Sequence, residues 1–188
     1  MRVLIACEFS GVVRDAFISQ GHDATSCDLL PSESSNGPHL QRDVREIIDD
    51  DWDLLIAHPP CTYLCNSGVR WLYEQHGRWE KMKEAARFFK YLLYAPILRV
   101  AVENPIPHKY AVREIGATYT QLIQPWQFGH GETKATCLWL RNLPHLEPTD
   151  VVEGRTHRMA PSKNRSRKRS ITYQGIAMAM ADQWGSLS

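Results

Sequence analysis

The sequence predicts an α/β fold: a mostly parallel sheet with helices on both faces and an antiparallel edge. Three observations lead there. Short apolar runs at Arg2–Ala6, Ala24–Leu29, Asp53–Ala57 and Arg99–Val102 have the length and composition of buried strands. Segments with helical spacing lie between most of them, and that alternation builds parallel strands joined by crossovers. Late in the chain, Tyr119–Ile123 and Ala135–Leu140 follow one another across a short gap, as an antiparallel pair would.

Taken in order, Arg2–Ala6 reads as a first strand and Glu8-Phe9-Ser10-Gly11 as a turn. Val12–Gln20 carries apolar residues at Val12, Val13, Ala16 and Phe17, a helical spacing, and Gly21 ends that helix. Ala24–Leu29 is a second strand, with Asp28 at its end. Residues 31–38 are rich in Pro, Ser, Asn and Gly and read as a loop. Asp43 precedes a short helix over Val44–Ile48. Asp53–Ala57 is a strand that closes in His58-Pro59-Pro60-Cys61. Residues 62–78 read as a long mobile loop, of the kind that forms lids. Trp79–Leu93 is a helix with charged faces, and Arg99–Val102 a strand that ends in Glu103-Asn104-Pro105. A helical segment near Lys109–Ile115 precedes the two late strands. Ile176–Trp184 is a small apolar helix.

The 188 residues suit a single domain, 1–188, with a real core. No apolar run is long enough to span a bilayer, and the first residues are too short an apolar run for a signal peptide. Five cysteines, odd in number and scattered, argue against a disulfide framework and for a reducing compartment, the cytoplasm. Cys61 and Cys65 are not followed by a second Cys/His pair at metal-binding spacing, so no metal is expected. The net charge of +1 hides an asymmetry. Residues 155–188 hold seven Lys and Arg against one acid, most of them in Lys163-Asn164-Arg165-Ser166-Arg167-Lys168-Arg169. A basic loop at about 155–170 beside an otherwise acidic body is the footprint of a polyanion contact; the plainer reading is a solvated loop.

Cys61 and Glu103 carry the strongest signal. Each closes a probable buried strand, and ligands of open α/β sheets bind at the carboxyl ends of strands. A thiol on a stiff Pro-Pro turn, with a carboxyl in the same crevice, suits a nucleophile with an acid/base partner. The bland reading of Cys61 is a buried structural cysteine. On the other side of the crevice, Gly11 would let the backbone approach a ligand, and the helix it opens favours a carboxylate at its N-terminus. Asp28 could accept the two hydroxyls of a ribose. Asp43 could accept the amino group of an adenine. Singly, Gly11 is only a turn and the two acids are caps or surface groups. No Gly-x-Gly-x-x-Gly or phosphate-binding Lys motif appears, which argues against a pyrophosphate-bearing cofactor.

In their order these residues resemble the cytosine-5 DNA methyltransferases, above all the short versions found in phages and prophages. The family's Phe-x-Gly turn is matched by Phe9-Ser10-Gly11, its acid after strand two by Asp28, and its adenine-contacting acid by Asp43. Its catalytic Pro-Cys is matched by Pro60-Cys61, and its Glu-Asn-Val by Glu103-Asn104 with Pro105 in place of Val. Its late Arg-rich segment resembles Phe128–Thr136, and its last motif Tyr173-Gln174-Gly175-Ile176-Ala177. The chain departs from the family at Val13, where a second Gly stands, and at Cys7, where an acid often stands. Lys134 and Thr136 replace two arginines. The large target-recognition domain is missing: only about twenty-five residues separate Leu140 from the basic cluster.

The resemblance implies a Rossmann-like methyltransferase fold and S-adenosylmethionine as cofactor, held by Phe9, Gly11, Asp28, Asp43 and Pro59. It implies attack of Cys61 on carbon 6 of cytosine, with Glu103 on ring nitrogen 3 and the exocyclic amine, and Asn104 orienting the loop. DNA, duplex or single-stranded, is the implied partner, contacted by Arg70, Lys134, Arg165, Arg167, Lys168 and Arg169. The base must be flipped out or already unpaired, and Arg70, Trp71 and Tyr73 would close over it. Without the recognition domain, the expected sequence context is short or loose, or supplied by a protein partner. The implied setting is the cytoplasm of a bacterial host cell, with the protein phage-encoded. Three alternatives stay open: the same chemistry on a free cytosine nucleotide, exocyclic amino methylation suggested by His58 before Pro-Pro, and a non-catalytic nucleic-acid binder.

Overall fold

The computed structural model describes residues 1–155 and 165–187. Lys163 therefore lies outside the described residues. Seven strands form one sheet: β1 (Arg2–Ala6), β2 (Asp23–Asp28), β3 (His39–Gln41), β4 (Leu54–Ala57), β5 (Arg99–Pro105), β6 (Gln121–Ile123) and β7 (Thr136–Arg141). Their order across the sheet is β3-β2-β1-β4-β5-β7-β6. The first five run parallel, and β7 pairs antiparallel with both β5 and β6. The expected fold class, a mostly parallel sheet with an antiparallel edge, is what the structure shows.

Each central strand is buried on both sides, which is why its sequence is a continuous apolar run. Successive side chains alternate between two cores. Val3, Ile5, Leu54 and Ile56 join Phe17 of helix α1 (Val12–Ser19) and Trp184 of α6 (Gln174–Gly185). Leu4, Ala6, Leu55 and Ala57 join Phe89 of α3 (Arg78–Leu93) and Ile115 of α4 (Lys109–Ile115). The two largest buried rings are satisfied at their polar end: Trp139 Nε1 donates to the Ala117 carbonyl at 3.1 Å, and Trp184 Nε1 to that of Pro144 at 3.1 Å.

Four expectations need correction. β3 is a strand that the sequence does not announce, because three edge residues are too few to show a period. Val44–Ile48 is only a 3-10 turn over Val44–Glu46, capped by the Asp43 carboxylate on the Arg45 N–H. Residues 62–78 are not one open loop: they hold a 3-10 turn (Asn66–Gly68) and helix α2 (Trp71–Glu74). The described part of the basic loop, Arg165–Ser170, is helix α5. Arginine and lysine are good helix formers, and the sequence reading weighed their charge alone.

One buried cation organises the ligand edge of the sheet. Arg14, fully buried in α1, ion-pairs with Asp15 at 2.7 Å. It also donates to the hydroxyls of Ser26 (3.1 Å) and Ser32 (3.3 Å), and to the carbonyls of Ser34 (3.3 Å) and Pro38 (3.5 Å). The polar loop after β2 is thus wrapped around a guanidinium whose charge is fully paired. Gly11 follows from the same packing. Its φ is +77°, and a Cβ there would stand 2.6 Å from Arg14 Nη2. Arg14→Met should cost about 3 kcal/mol, because Asp15 and the loop carbonyls lose their donor. Urea unfolding checks this: the midpoint should fall with little change in slope.

Candidate active site

The site grows out of one mismatch between neighbouring strands. β4 pairs with β5 only as far as Ala57 opposite Val102. β5 continues through Glu103, Asn104 and Pro105, which pair on their other side with Leu138, Cys137 and Thr136 of β7. The sequence reading ended this strand at Val102; the β7 partner extends it. On the β4 side, His58 still donates its N–H to the Ala6 carbonyl at 2.9 Å. Pro59 and Pro60 then have no N–H to give, and the chain leaves the sheet. His58 is left beside Glu103, with Nδ1 3.2 Å from Oε2. Asn104 is buried and donates to the Pro105 carbonyl at 2.5 Å.

After the prolines the chain makes one tight turn. The Cys61 carbonyl accepts from the N–H groups of Leu64 and Cys65, both at 3.0 Å. A spacing of four in such a turn puts the two cysteines on one side. The turn is clamped from below: Asn66 N donates to the Ile106 carbonyl at 2.8 Å, His108 N to that of Leu64 at 3.0 Å, and Arg78 to that of Thr62 at 2.9 Å.

Charge in this turn is distributed unevenly. The hydrogen bond to Cys65, burial, and the charges of Cys65 and Glu103 all push the Cys61 thiol up. Cys65 is held down to about 5 by the bond from Cys61, against burial, with help from the Ser67 hydroxyl and the Gly68 N–H. Of the two, Cys61 is thus the harder to ionise and Cys65 the easier. Burial works to raise Glu103, but the bond from His58 and the charges of His58 and Lys134 leave it below the usual carboxylate range. Lys134 is lowered by burial, which Glu103 opposes. Its ammonium donates to the Arg169 carbonyl at 2.6 Å and lies 5.4 Å from the Tyr173 ring.

Two large pockets flank the turn. One, of about 820 Å³, lies at the point where the sheet order reverses between β1 and β4. Asp28, Asp43, Pro60, Tyr63 and Phe88 are in its wall. The other, of about 750 Å³, is lined by Cys65, Pro105, Glu132, Lys134, Lys168, Arg169 and Tyr173. Pro60 lines one and Cys65 the other, and Cys61 follows Pro60 in the turn that links them. An acid beside aromatic and apolar walls suits a nucleoside in the first. Cations and an aromatic suit a base with its phosphate in the second.

The predicted residues are divided by this arrangement. Cys61, Glu103 and Lys134 come together, the last beside the other two and not merely on the surface. Asp28 and Asp43 share the first pocket. Asp28 Oδ1 accepts from the Leu30 N–H at 2.8 Å, and Asp43 is tied to Arg45 at 2.5 Å, which lowers its pKa chiefly through that bond. Phe9, Gly11 and Pro59 do not line this pocket. The N-terminus of α1 is filled by a residue that the sequence reading passed over: Glu8 is buried and accepts from Val13 N at 2.7 Å and Arg14 N at 3.3 Å. Arg70 is exposed, its guanidinium 4.2 Å from the Trp71 ring. Tyr73 packs edge-on against Trp79 and Tyr110. Arg167 binds Glu33 at 2.7 Å and covers the Phe9 ring at 4.7 Å. Lys168 and Arg169 line the second pocket, and of Arg165 only the helical backbone is described. Cys65 and His58 are the residues whose roles were missed. Their spacing to Cys61 was visible, but their partners were not.

The thiol pair generates a direct test. Iodoacetamide at pH 7, read by peptide mapping, should label Cys65 ahead of Cys61. Cys65→Ser removes the largest cause holding Cys61 up, so Cys61 should then alkylate faster, by about tenfold for each pH unit its midpoint falls. Faster labelling of Cys61 in the unaltered protein would contradict the assignment.

No protein-family model matches the chain, and no curated protein matches it in sequence. Solved structures do. A protein described as a DNA modification methyltransferase encoded within an Escherichia coli prophage matches with a TM-score of 0.52 at 14% identity, over 81% of this chain and 52% of that one. The Entamoeba histolytica methyltransferase EhMeth gives 0.49 at 15%, over 84% and 57%. The S. pombe Dnmt2 methyltransferase gives 0.47 at 14%, over 77% and 51%. The chain thus spans about half the length of the structures it matches. At such identities the likeness is one of fold, and the fold this chain shares is that of the prophage methyltransferase.

Proposed function

We propose that the protein transfers a methyl group from S-adenosylmethionine to carbon 5 of cytosine in DNA, through a covalent bond between Cys61 and the base. The observation that carries the reading is the place of Cys61, beside Glu103 and in the turn that links the two large pockets. The first pocket fits the cofactor: Asp28 ends β2 where a ribose diol would lie, and Leu29, Phe88 and Tyr91 supply apolar wall for an adenine. Asp43 reaches the ring only if it shares its bond with Arg45. When bound, the cofactor supplies an electrophilic methyl group.

The chain's own residues act on the base. Cytosine carbon 5 is a poor nucleophile until carbon 6 is attacked. The Cys61 sulfur bonds to carbon 6 as its proton passes by way of the Glu103 carboxylate to nitrogen 3, which takes up the ring electrons. Carbon 5 becomes enamine-like and takes the methyl group. A water takes the proton from carbon 5, the freed electrons restore the ring double bond and expel the sulfur, and the nitrogen 3 proton returns to that sulfur by way of Glu103. The Glu103 charge also opposes ionisation of Cys61, after the bond to Cys65 and burial. Lys134, Lys168 and Arg169 form a cationic wall for the incoming nucleotide, and Arg167 extends it on α5. The prophage methyltransferase match adds support at the level of fold.

Cys61→Ser should abolish product while leaving cofactor affinity within about twofold, and DNA carrying 5-fluorocytosine should trap an adduct on Cys61 in the unaltered protein. An adduct on Cys65 would overturn the assignment. Asp28→Ala should weaken cofactor binding about tenfold in calorimetry, the loss of a charge-assisted bond. Replacing Arg167, Lys168 and Arg169 by Ala should flatten the slope of log affinity for duplex DNA against log salt by roughly two to three units, about 0.9 for each phosphate. Sequence preference should change little, since phosphate contacts do not read bases. An unchanged slope would mean that α5 is solvated, and would favour a free nucleotide as substrate.

A further inference from the structure

Two buried side-chain atoms flanking the reacting groups have no hydrogen-bond partner among the described residues: His58 Nε2 and Asn104 Oδ1. The His58 side chain is only 8% exposed. Its other nitrogen, Nδ1, faces Glu103 Oε2 at 3.2 Å. His58 and Glu103 also line a small cavity of about 20 Å³ with Lys134, Thr136, Thr172 and Tyr173. That volume holds one water, and its walls carry the polar partners a buried water needs. A buried nitrogen without a partner is costly enough to call for an explanation. In a histidine, the bond made by one ring nitrogen decides which of them carries the proton.

We propose that His58 is a positioning residue for Glu103 in the methyl-transfer reaction, a role that rests on the cytosine-5 reading above. Its Nδ1–H holds Oε2 and leaves Oε1 for nitrogen 3 and the amine of the target base. One water in the small cavity pairs with Nε2 and holds the ring with Nδ1 toward Glu103. The motif resemblance does not reach His58; the strand register puts it here, one residue past the last β4 pair.

The other groups that face the pair are Cys61 from the turn, Cys137 from β7 and Lys134 from the segment before it, with Tyr173 across the cavity. Cys65, Glu132 and Arg169 act on these in turn. Lys134 lowers Glu103 alongside His58, and the cysteines respond to the Glu103 charge. Changes at His58 alone leave all of them in place.

The test uses the free protein first. The Glu103 carboxyl is titrated by carbon-13 NMR in the unaltered chain, in His58→Leu and in His58→Asn. His58→Leu leaves burial to act without the ring N–H, so the midpoint should rise by about one pH unit or more. In His58→Asn the amide Nδ2 can stand where Nδ1 stood, and the midpoint should stay within about half a unit. The rate of adduct formation between Cys61 and 5-fluorocytosine DNA should fall about 10- to 100-fold in His58→Leu and recover to within about threefold in His58→Asn, with little change in KM. His58→Phe, closer to the ring in volume, carries the same expectation as His58→Leu where that variant does not fold. An unmoved Glu103 midpoint in the apolar variants overturns the proposal, as does a His58→Asn as impaired as they are, or a loss confined to KM. A shifted midpoint in a protein that forms neither adduct nor methylated product overturns the cytosine-5 reading, and with it this role in that reaction, while His58 still governs Glu103.

Discussion

β5 outruns β4. The overhang of Glu103, Asn104 and Pro105 is held from one side by β7, and from the other it meets no strand, because Pro59 and Pro60 cannot continue the ladder. A buried carboxylate left open on one side must be compensated. His58 supplies a ring N–H at 3.2 Å, and Lys134 adds its charge from the segment that leads into β7. Lys134 is placed by the same antiparallel pairing that holds Glu103. The turn that carries Cys61 and Cys65 follows from the same break, since the residues released by the prolines form it.

The sheet was largely legible because its strands are buried on both faces. Leu54–Ala57 and Val100–Val102 have no polar residue to blur their limits, and the alternation with helices leaves few ways to join them. Cys61 and Glu103 were legible for a related reason: each follows such a run, and parallel strands place their ends together. Of the two edge strands, β6 was legible within Tyr119–Ile123, but β3 was not: three residues paired on one side carry little constraint. The helix at Arg165–Ser170 was hidden because its charge pattern speaks for solvent and says nothing of backbone.

At the site, residue types were readable and their pairings were not. Asp28 was expected on the ligand edge and is there. Glu8 was not noticed, although an acid a few residues before a helix often satisfies its first N–H groups. It takes the place that the sequence reading gave to a cofactor carboxylate at the start of α1. Gly11 was read as a ligand approach; its left-handed backbone and the Arg14 side chain behind it are a second reason for a residue without a Cβ. Cys65 needed knowledge of the turn after the prolines, and His58 needed the strand register. Both depend on contacts between residues far apart in the chain or on local geometry that no period encodes.

The arrangement separates the work of stability from that of chemistry. Phe17, Trp184, Phe89 and Trp139 fill two cores on opposite faces of the sheet, away from the strand ends where charge is buried. Those cores let the C-terminal edge hold an unfavourable set of groups: a carboxylate below its ordinary range, a thiol pushed above its own, a second held down at its side and a half-buried ammonium. None of these is at rest with its neighbours. Glu103 opposes ionisation of Cys61, and Lys134 and His58 oppose protonation of Glu103. A ligand that brings a hydrogen-bond donor to Glu103 would ease its opposition to the Cys61 thiolate.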